Sequence, residues 1–169
     1  MADTANVSVQ RTPTLAFLVR HPAHFIALGF GAGLAPFAPG TFGTLVAIPF
    51  ALLLRAQFSE PVFVAAILLF AIVGIWAAEV TGKNIGVPDH GAIVWDEVVA
   101  FLIVLYFVGS DFAQIAVAFV VFRFFDIVKP PPIRQLDAAM KNGFGVMVDD
   151  VVAAGYTLVV LALIHRAIG

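Results

Sequence analysis

PVFVAAILLFAIVGIWAA, residues Pro61–Ala78, runs for 18 residues without a charge. That is close to the ~20 apolar residues an α-helix needs to cross ~30 Å of hydrocarbon. This stretch sets the solvent: much of the protein surface faces lipid. The rest of the chain agrees, because 62% of its 169 residues are hydrophobic and only 12% are charged. Mean hydropathy is +1.03, far from the composition of ordinary water-soluble domains. The pattern predicts an all-α, polytopic helical membrane protein with about five spanning helices, preceded by a short N-terminal helix that is interfacial or re-entrant.

Working outward from Pro61, the uncharged stretch Phe25–Leu54 is interrupted by Gly29, Gly31, Gly33, Pro36, Pro39, Gly40, Gly43 and Pro49. One straight helix does not survive so many breakers. The reading is a short helix over 22–34, a loop over 34–40 and a helix over 41–54, with Thr41 as its N-cap. Gly29 and Gly33 are spaced to allow close helix packing. After Ala78 come a polar link at 83–90, a helical hairpin of 92–108 and 112–128, a Pro-rich link at 129–148, and a last helix over 149–164. Glu79 and Lys83 form an i,i+4 pair, and Trp76 and Trp95 suit the headgroup belt. Residues 1–20 are expected to be a flexible cytoplasmic N-terminus, and 21–169 a single integral-membrane domain.

Composition also excludes functions. A net charge of −2 without a basic tract argues against nucleic acid. With no cysteine there are no disulfides, thiolate metal ligands or cysteine nucleophiles.

Orientation follows from the basic residues. With the N-terminus in the cytoplasm, Arg11, Arg20, Lys83, Lys129, Arg134 and Lys141 fall inside, and Arg55 and Arg166 fall outside. The same arrangement brings the 35–44 loop, Asp96-Glu97, Asp149-Asp150, Arg123, Asp126 and Lys129 to one membrane face. Carboxylates at the edge of hydrocarbon are costly, and two like-charged pairs together suit a divalent cation. The structural alternative is that each pair complements the positive end of its helix. That is worth only ~0.3–1 kcal/mol when exposed, against ~2.5–3.5 kcal/mol for a charge placed in a spanning helix. Arg123, Asp126 and Lys129 lie at i, i+3 and i+6, so all three can face one crevice. There Arg offers a planar fork to phosphate oxygens, Lys a point charge, and Asp either a metal ligand or an anchor. An internal ion-pair set explains that spacing equally well. Thr41 would join a substrate-binding cradle only if backbone N–H groups near Pro39-Gly40 bind phosphate. His90 is a candidate proton donor, set against a solvated loop histidine.

The blocks GAGLAPFAPGTFGTLVAIP (Gly31–Pro49), DHGAIVWDEVV (Asp89–Val99), FRFFDIVKP (Phe122–Pro130) and GFGVMVDDVVAAG (Gly143–Gly155) occur in order across most of the chain. Together they resemble the phosphatidylglycerophosphatase A family. The resemblance implies a Mg²⁺-dependent phosphatase of the bacterial cell inner membrane, multi-pass, with its active site at the cytoplasmic face. Its substrate would be a phospholipid in the bilayer, phosphatidylglycerophosphate, cut to phosphatidylglycerol and inorganic phosphate. On that reading Asp96, Glu97, Asp149 and Asp150 hold one or two Mg²⁺, and Arg123 and Lys129 clamp the phosphate. One carboxylate activates water, or Asp126 or Asp149 acts as a nucleophile. Pro131 stands where the family pattern leads one to expect Trp, and Ala100 and Ala154 depart from its small-residue pattern near two helices. Rival classes are a small transporter or channel, a CDP-alcohol phosphotransferase and a structural subunit. The phosphotransferase lacks its Asp-Gly-x-x-Ala-Arg signature here, and charges gathered at one face suit transport poorly.

Overall fold

A computed structural model describes residues 12–168, and every secondary-structure element among them is helical. Residues 1–11 of the expected flexible segment, Arg11 included, lie outside the described range. The chain enters through α1 (Leu15–Leu18), capped by the Thr14 hydroxyl, which accepts the Phe17 N–H at 3.2 Å. Next comes α2 (Pro22–Ala27), whose start is fixed by Pro22 and by His21 Nδ1, an acceptor for the Ala23 N–H at 3.1 Å. The helix expected over 22–34 does not continue. A 3₁₀ helix occupies Gly29–Leu34, with left-handed backbone at Gly29 (φ 55°), Phe30 (φ 58°) and Gly31 (φ 108°). Gly29 and Gly33 here let this segment lie against the Ala92–Val94 link.

The body of the protein is α3 (Pro39–Gln57), α4 (Glu60–Ile85), α5 (Trp95–Val108), α6 (Phe112–Val128) and α8 (Gly143–Ile168), with the short α7 (Ile133–Ala139) between the last two. The helix expected from Thr41 starts two residues earlier. Pro39 occupies the first turn and Ala38, in left-handed backbone, holds the N-cap position assigned to Thr41. The α5–α6 hairpin forms as expected, its second arm capped by Asp111 Oδ1, which accepts the Gln114 N–H at 2.9 Å.

Helix α5 is the axis. Beyond Asp96 and Glu97 its sequence is apolar on every side, so it is buried along most of its length, and α3, α4, α6 and α8 pack around it. Val98–Leu102, Val104 and Leu105 are fully buried. At its far end Arg55 donates to the carbonyls of Leu105 at 3.0 Å and Tyr106 at 2.9 Å, placing a cation on the negative end of the helix. Trp95 is not in the headgroup belt. It is 3% exposed, and its indole donates to the Phe70 carbonyl at 3.0 Å. Gly74 makes room for it, since a Cβ there would approach Trp95 Cδ1 to 2.6 Å and Met147 Sδ to 3.1 Å. Trp76, by contrast, is half exposed.

Three of the described helices, Pro39–Gln57, Glu60–Ile85 and Gly143–Ala167, are long and apolar enough to cross a membrane. With 14 residues, α5 is only ~21 Å long at 1.5 Å per residue, and α6 has 17 residues. The starts of α3, α5 and α8 and the ends of α4 and α6 gather at one end of the bundle, where the charges are.

Candidate active site

Each charged side chain reaches this end because of where its helix begins or stops. Asp96 and Glu97 sit in the first turn of α5, so the helix-dipole benefit applies to them. Asp149 and Asp150 do not begin their helix, as the sequence suggests they do. Helix α8 starts at Gly143, about two turns earlier, with no acidic residue in its first turn. The dipole effect fades within that turn, so it does not explain this pair. The N-terminus of α8 is served by other groups. Asn142 Oδ1 accepts the Gly145 N–H at 2.8 Å, and Glu79 Oε2 accepts the Gly143 N–H at 2.7 Å while pairing with Lys83 at 2.8 Å.

The five carboxylates divide into pairs and a trio. Arg123 Nη1 lies 2.5 Å from Asp126 Oδ2 and 3.6 Å from Glu97 Oε1. It also donates to Thr44 Oγ1 at 3.3 Å, and that hydroxyl donates to the Gly40 carbonyl at 2.9 Å. A side chain at residue 40 would collide with Glu97 Oε1, so glycine is what allows the start of α3 to close over this contact. On the other side, Lys129 Nζ lies 2.5 Å from Asp149 Oδ2 and 3.4 Å from Asp137 Oδ2. Asp137 Oδ1 in turn accepts from Lys141 Nζ at 2.9 Å. Burial works against the Lys129 ammonium, but its hydrogen bond to Asp149 and the charges of Asp149, Asp137 and Asp150 prevail and hold its pKa above the usual lysine value.

Between these pairs Asp96, Glu97 and Asp150 each offer one oxygen, and the three atoms lie within 4.8 Å of one another. All three residues have a buried oxygen without a hydrogen-bond partner: Asp96 Oδ1, Glu97 Oε2 and Asp150 Oδ2. Asp149 Oδ1 and Arg123 Nε are likewise unpaired. Five carboxylates facing two cations leave three negative charges uncompensated if all are ionised. Such an arrangement costs several kcal/mol per unpaired ion unless something positive joins it. Hard oxygen ligands, an excess of negative charge and unpaired lone pairs fit a divalent cation.

Two candidate residues lie aside from this cluster. Thr41 is half-buried in the first turn of α3, and its hydroxyl makes no hydrogen bond among the described residues. His90 sits in the link before α5, where its Nδ1 accepts the Ala92 N–H at 3.1 Å. Conversely, the structure adds Gly40, Thr44 and Asp137 to the surroundings of the site. A signal for Asp137 was present, because it is the one acidic residue between Lys129 and Val148. Thr44 stands one helical turn after Gly40, a spacing that carries no chemistry until Arg123 is placed beside it.

Comparison with known proteins gives a consistent picture. Residues 25–165 match the family model for phosphatidylglycerophosphatase A. The phosphatidylglycerophosphatase A of Haemophilus influenzae is 40% identical over 157 residues, which cover 92% of this chain and 96% of that protein. The Escherichia coli protein of the same name is 41% identical over 134 residues, 79% of this chain and 77% of its own. A Bacteroides thetaiotaomicron protein provisionally named a phosphatidylinositol-3-phosphatase is 39% identical over 151 residues, 85% of this chain and 94% of its own. No solved structure matches the chain significantly.

Proposed function

The chain belongs to the phosphatidylglycerophosphatase A family, and from that premise we propose that it hydrolyses the phosphomonoester of phosphatidylglycerophosphate in phosphatidylglycerol synthesis. The observation that carries the chemistry is the trio Asp96, Glu97 and Asp150, each with an unpaired buried oxygen, set between the Arg123 and Lys129 ion pairs.

The trio is the group that would hold a divalent cation, with Asp149 beside it. Mg²⁺ suits this all-oxygen set, and when bound it supplies Lewis-acid stabilisation of the phosphoryl oxygens. The chain's own residues do the remainder. Arg123 and Lys129 bind the dianionic phosphate, the guanidinium by its planar fork and the ammonium as a point charge. Asp126 and Asp149 hold these two cations in place before substrate arrives, which limits reorganisation during the reaction. An unpaired carboxylate oxygen of the cluster accepts a proton from the attacking water. The water oxygen then bonds to phosphorus, the bond from phosphorus to the glycerol oxygen breaks, and that oxygen leaves as the alcohol, taking up the proton that the carboxylate received from the water. The products are phosphatidylglycerol and inorganic phosphate. Thr41 and His90, which lie aside from the carboxylate cluster, are assigned to headgroup contact rather than to the reacting phosphate.

The membrane arrangement belongs to the same proposal. Residues 21–169 form one catalytic domain in which α3, α4, α5, α6 and α8 cross the bacterial inner membrane, with the site at the cytoplasmic face. Support comes from the charges, since Arg20, Lys83, Lys129, Arg134 and Lys141 belong to segments at the active-site end, whereas Arg55 caps the far end of α5. A site at this interface lets the acyl chains stay in lipid while the phosphate meets water. The test is phosphate release from phosphatidylglycerophosphate by detergent-solubilised protein, with and without Mg²⁺. Release only with Mg²⁺ is expected. Untouched lipid phosphate under both conditions, together with ion flux in vesicles, would replace the enzyme by a transporter.

A further inference from the structure

Lys129 is held from two sides, and only one of its partners belongs to the carboxylate cluster. Its backbone is left-handed (φ 45°, ψ 62°) at the C-cap of α6, and from there Nζ reaches Asp149 on α8 and Asp137 on α7. Helix α7 is only seven residues long, but it is anchored: Ile133 is fully buried and α7 packs along α8. The strap before it carries three consecutive prolines, Pro130–Pro132, and the Pro131 carbonyl accepts from the Tyr156 hydroxyl at 3.0 Å. Asp137 is therefore presented on a fixed support. Its two oxygens are shared, Oδ2 with Lys129 at 3.4 Å and Oδ1 with Lys141 at 2.9 Å, and Lys141 also approaches Asp89 at 3.6 Å. Opposite charges thus alternate from Asp89 through Lys141, Asp137 and Lys129 to Asp149.

This alternation has a geometric consequence. An ammonium has three donors and no acceptor. A lysine held by one carboxylate can swing about that contact, whereas a second carboxylate on another helix, here an ion pair at 3.4 Å, limits that swing and with it the direction of the free donors. From this we infer that Asp137 is a positioning residue: its charge holds the Lys129 ammonium so that a donor not engaged by Asp149 is available to a substrate phosphate. The inference rests on the proposed role of Lys129 in phosphate binding. Asp137 itself touches neither the carboxylate trio nor, on this account, the substrate.

A double-mutant cycle on detergent-solubilised protein, read as phosphate release from phosphatidylglycerophosphate at saturating Mg²⁺, tests this. Monodisperse elution and an unchanged helical circular dichroism spectrum establish that each variant is folded. Asp137→Asn should reduce kcat/KM about 10-fold, and Asp137→Glu should recover it to within about threefold of the parent. In a Lys129→Ala background, Asp137→Asn should change kcat/KM less than about twofold, because nothing remains for it to position. A loss of equal size in both backgrounds would show that Asp137 acts on the fold and would overturn the inference, as would full activity of Asp137→Asn. If Lys129→Ala alone were fully active, the phosphate-binding role of Lys129 would fall while the hydrolase reading stood.

Discussion

Lys129 Nζ and Asp149 Oδ2 lie 2.5 Å apart, and this contact separates two carboxylates that are adjacent in sequence. Asp149 is turned to a lysine, while Asp150 joins Asp96 and Glu97 in the group able to hold a cation. The DD pair is therefore not two copies of one function.

Asp150→Asn and Asp149→Asn should both abolish useful turnover, on the order of 10²-fold or more, but for different reasons. Mn²⁺ binding, followed by electron paramagnetic resonance, should weaken at least about 30-fold in Asp150→Asn and less than about threefold in Asp149→Asn. Near-normal turnover of folded Asp149→Asn would remove its assigned role.

Arg123→Lys keeps the charge but loses the planar guanidinium, whose Nη1 meets Asp126, Glu97 and Thr44 and whose other donors are left for a phosphate. Turnover should fall roughly 10²-fold, with the protein still folded and still binding Mn²⁺. Kinetics indistinguishable from the parent would mean that a point charge suffices there.

Gly40→Ala places a methyl group into Glu97 Oε1. Either the start of α3 or the Glu97 side chain must move, so a destabilisation of about 1–3 kcal/mol is expected. Loss of activity should accompany it, because Glu97 belongs to the trio. Thermal unfolding and phosphate release, measured on one preparation, check both parts.

His24 sets a pH dependence of stability. The ring is buried beneath Phe17, with Nδ1 3.0 Å from Thr81 Oγ1 and Nε2 3.2 Å from Asn84 Nδ2. Burial, and then the neighbouring His21, lower its pKa below the ordinary 6.5. The folded state thus binds its proton less readily than the unfolded state. The stabilisation is complete above about pH 6.5 and is lost as the pH falls from there toward the folded-state value. Between roughly pH 7 and pH 5, thermal stability should fall more steeply in the parent than in His24→Gln. Parallel profiles would show that His24 does not contribute.

Much of this was legible in the sequence, and the remainder was not for identifiable reasons. Pro61–Ala78 established the setting because an uncharged run of that length has few other uses, and the bias of the basic residues brought both acidic pairs, Arg123, Asp126 and Lys129 to one end. Helix starts were harder to see. Gly143 and Gly145 read as loop residues, yet α8 begins there because Glu79 and Asn142 receive its first N–H groups and Gly143 must press against the Ile75 carbonyl. Trp95 reads as a belt residue until Gly74 opens a space for it in the core. The split between Asp149 and Asp150 depends on Lys129 arriving from another helix, and no spacing within the GFGVMVDD block encodes that.

On the proposed mechanism the Asp96, Glu97 and Asp150 trio holds the divalent cation on which lipid phosphate hydrolysis depends. The most direct measurement is a Mg²⁺ titration of chelator-stripped protein, following phosphate released from phosphatidylglycerophosphate, for the parent and for Asp150→Asn at high substrate. The parent should show no release without Mg²⁺ and a saturable rise with it, whereas Asp150→Asn should need at least about 30-fold more Mg²⁺ or fail to respond. Full turnover of the stripped parent, or superimposable titrations of the two proteins, would contradict the claim.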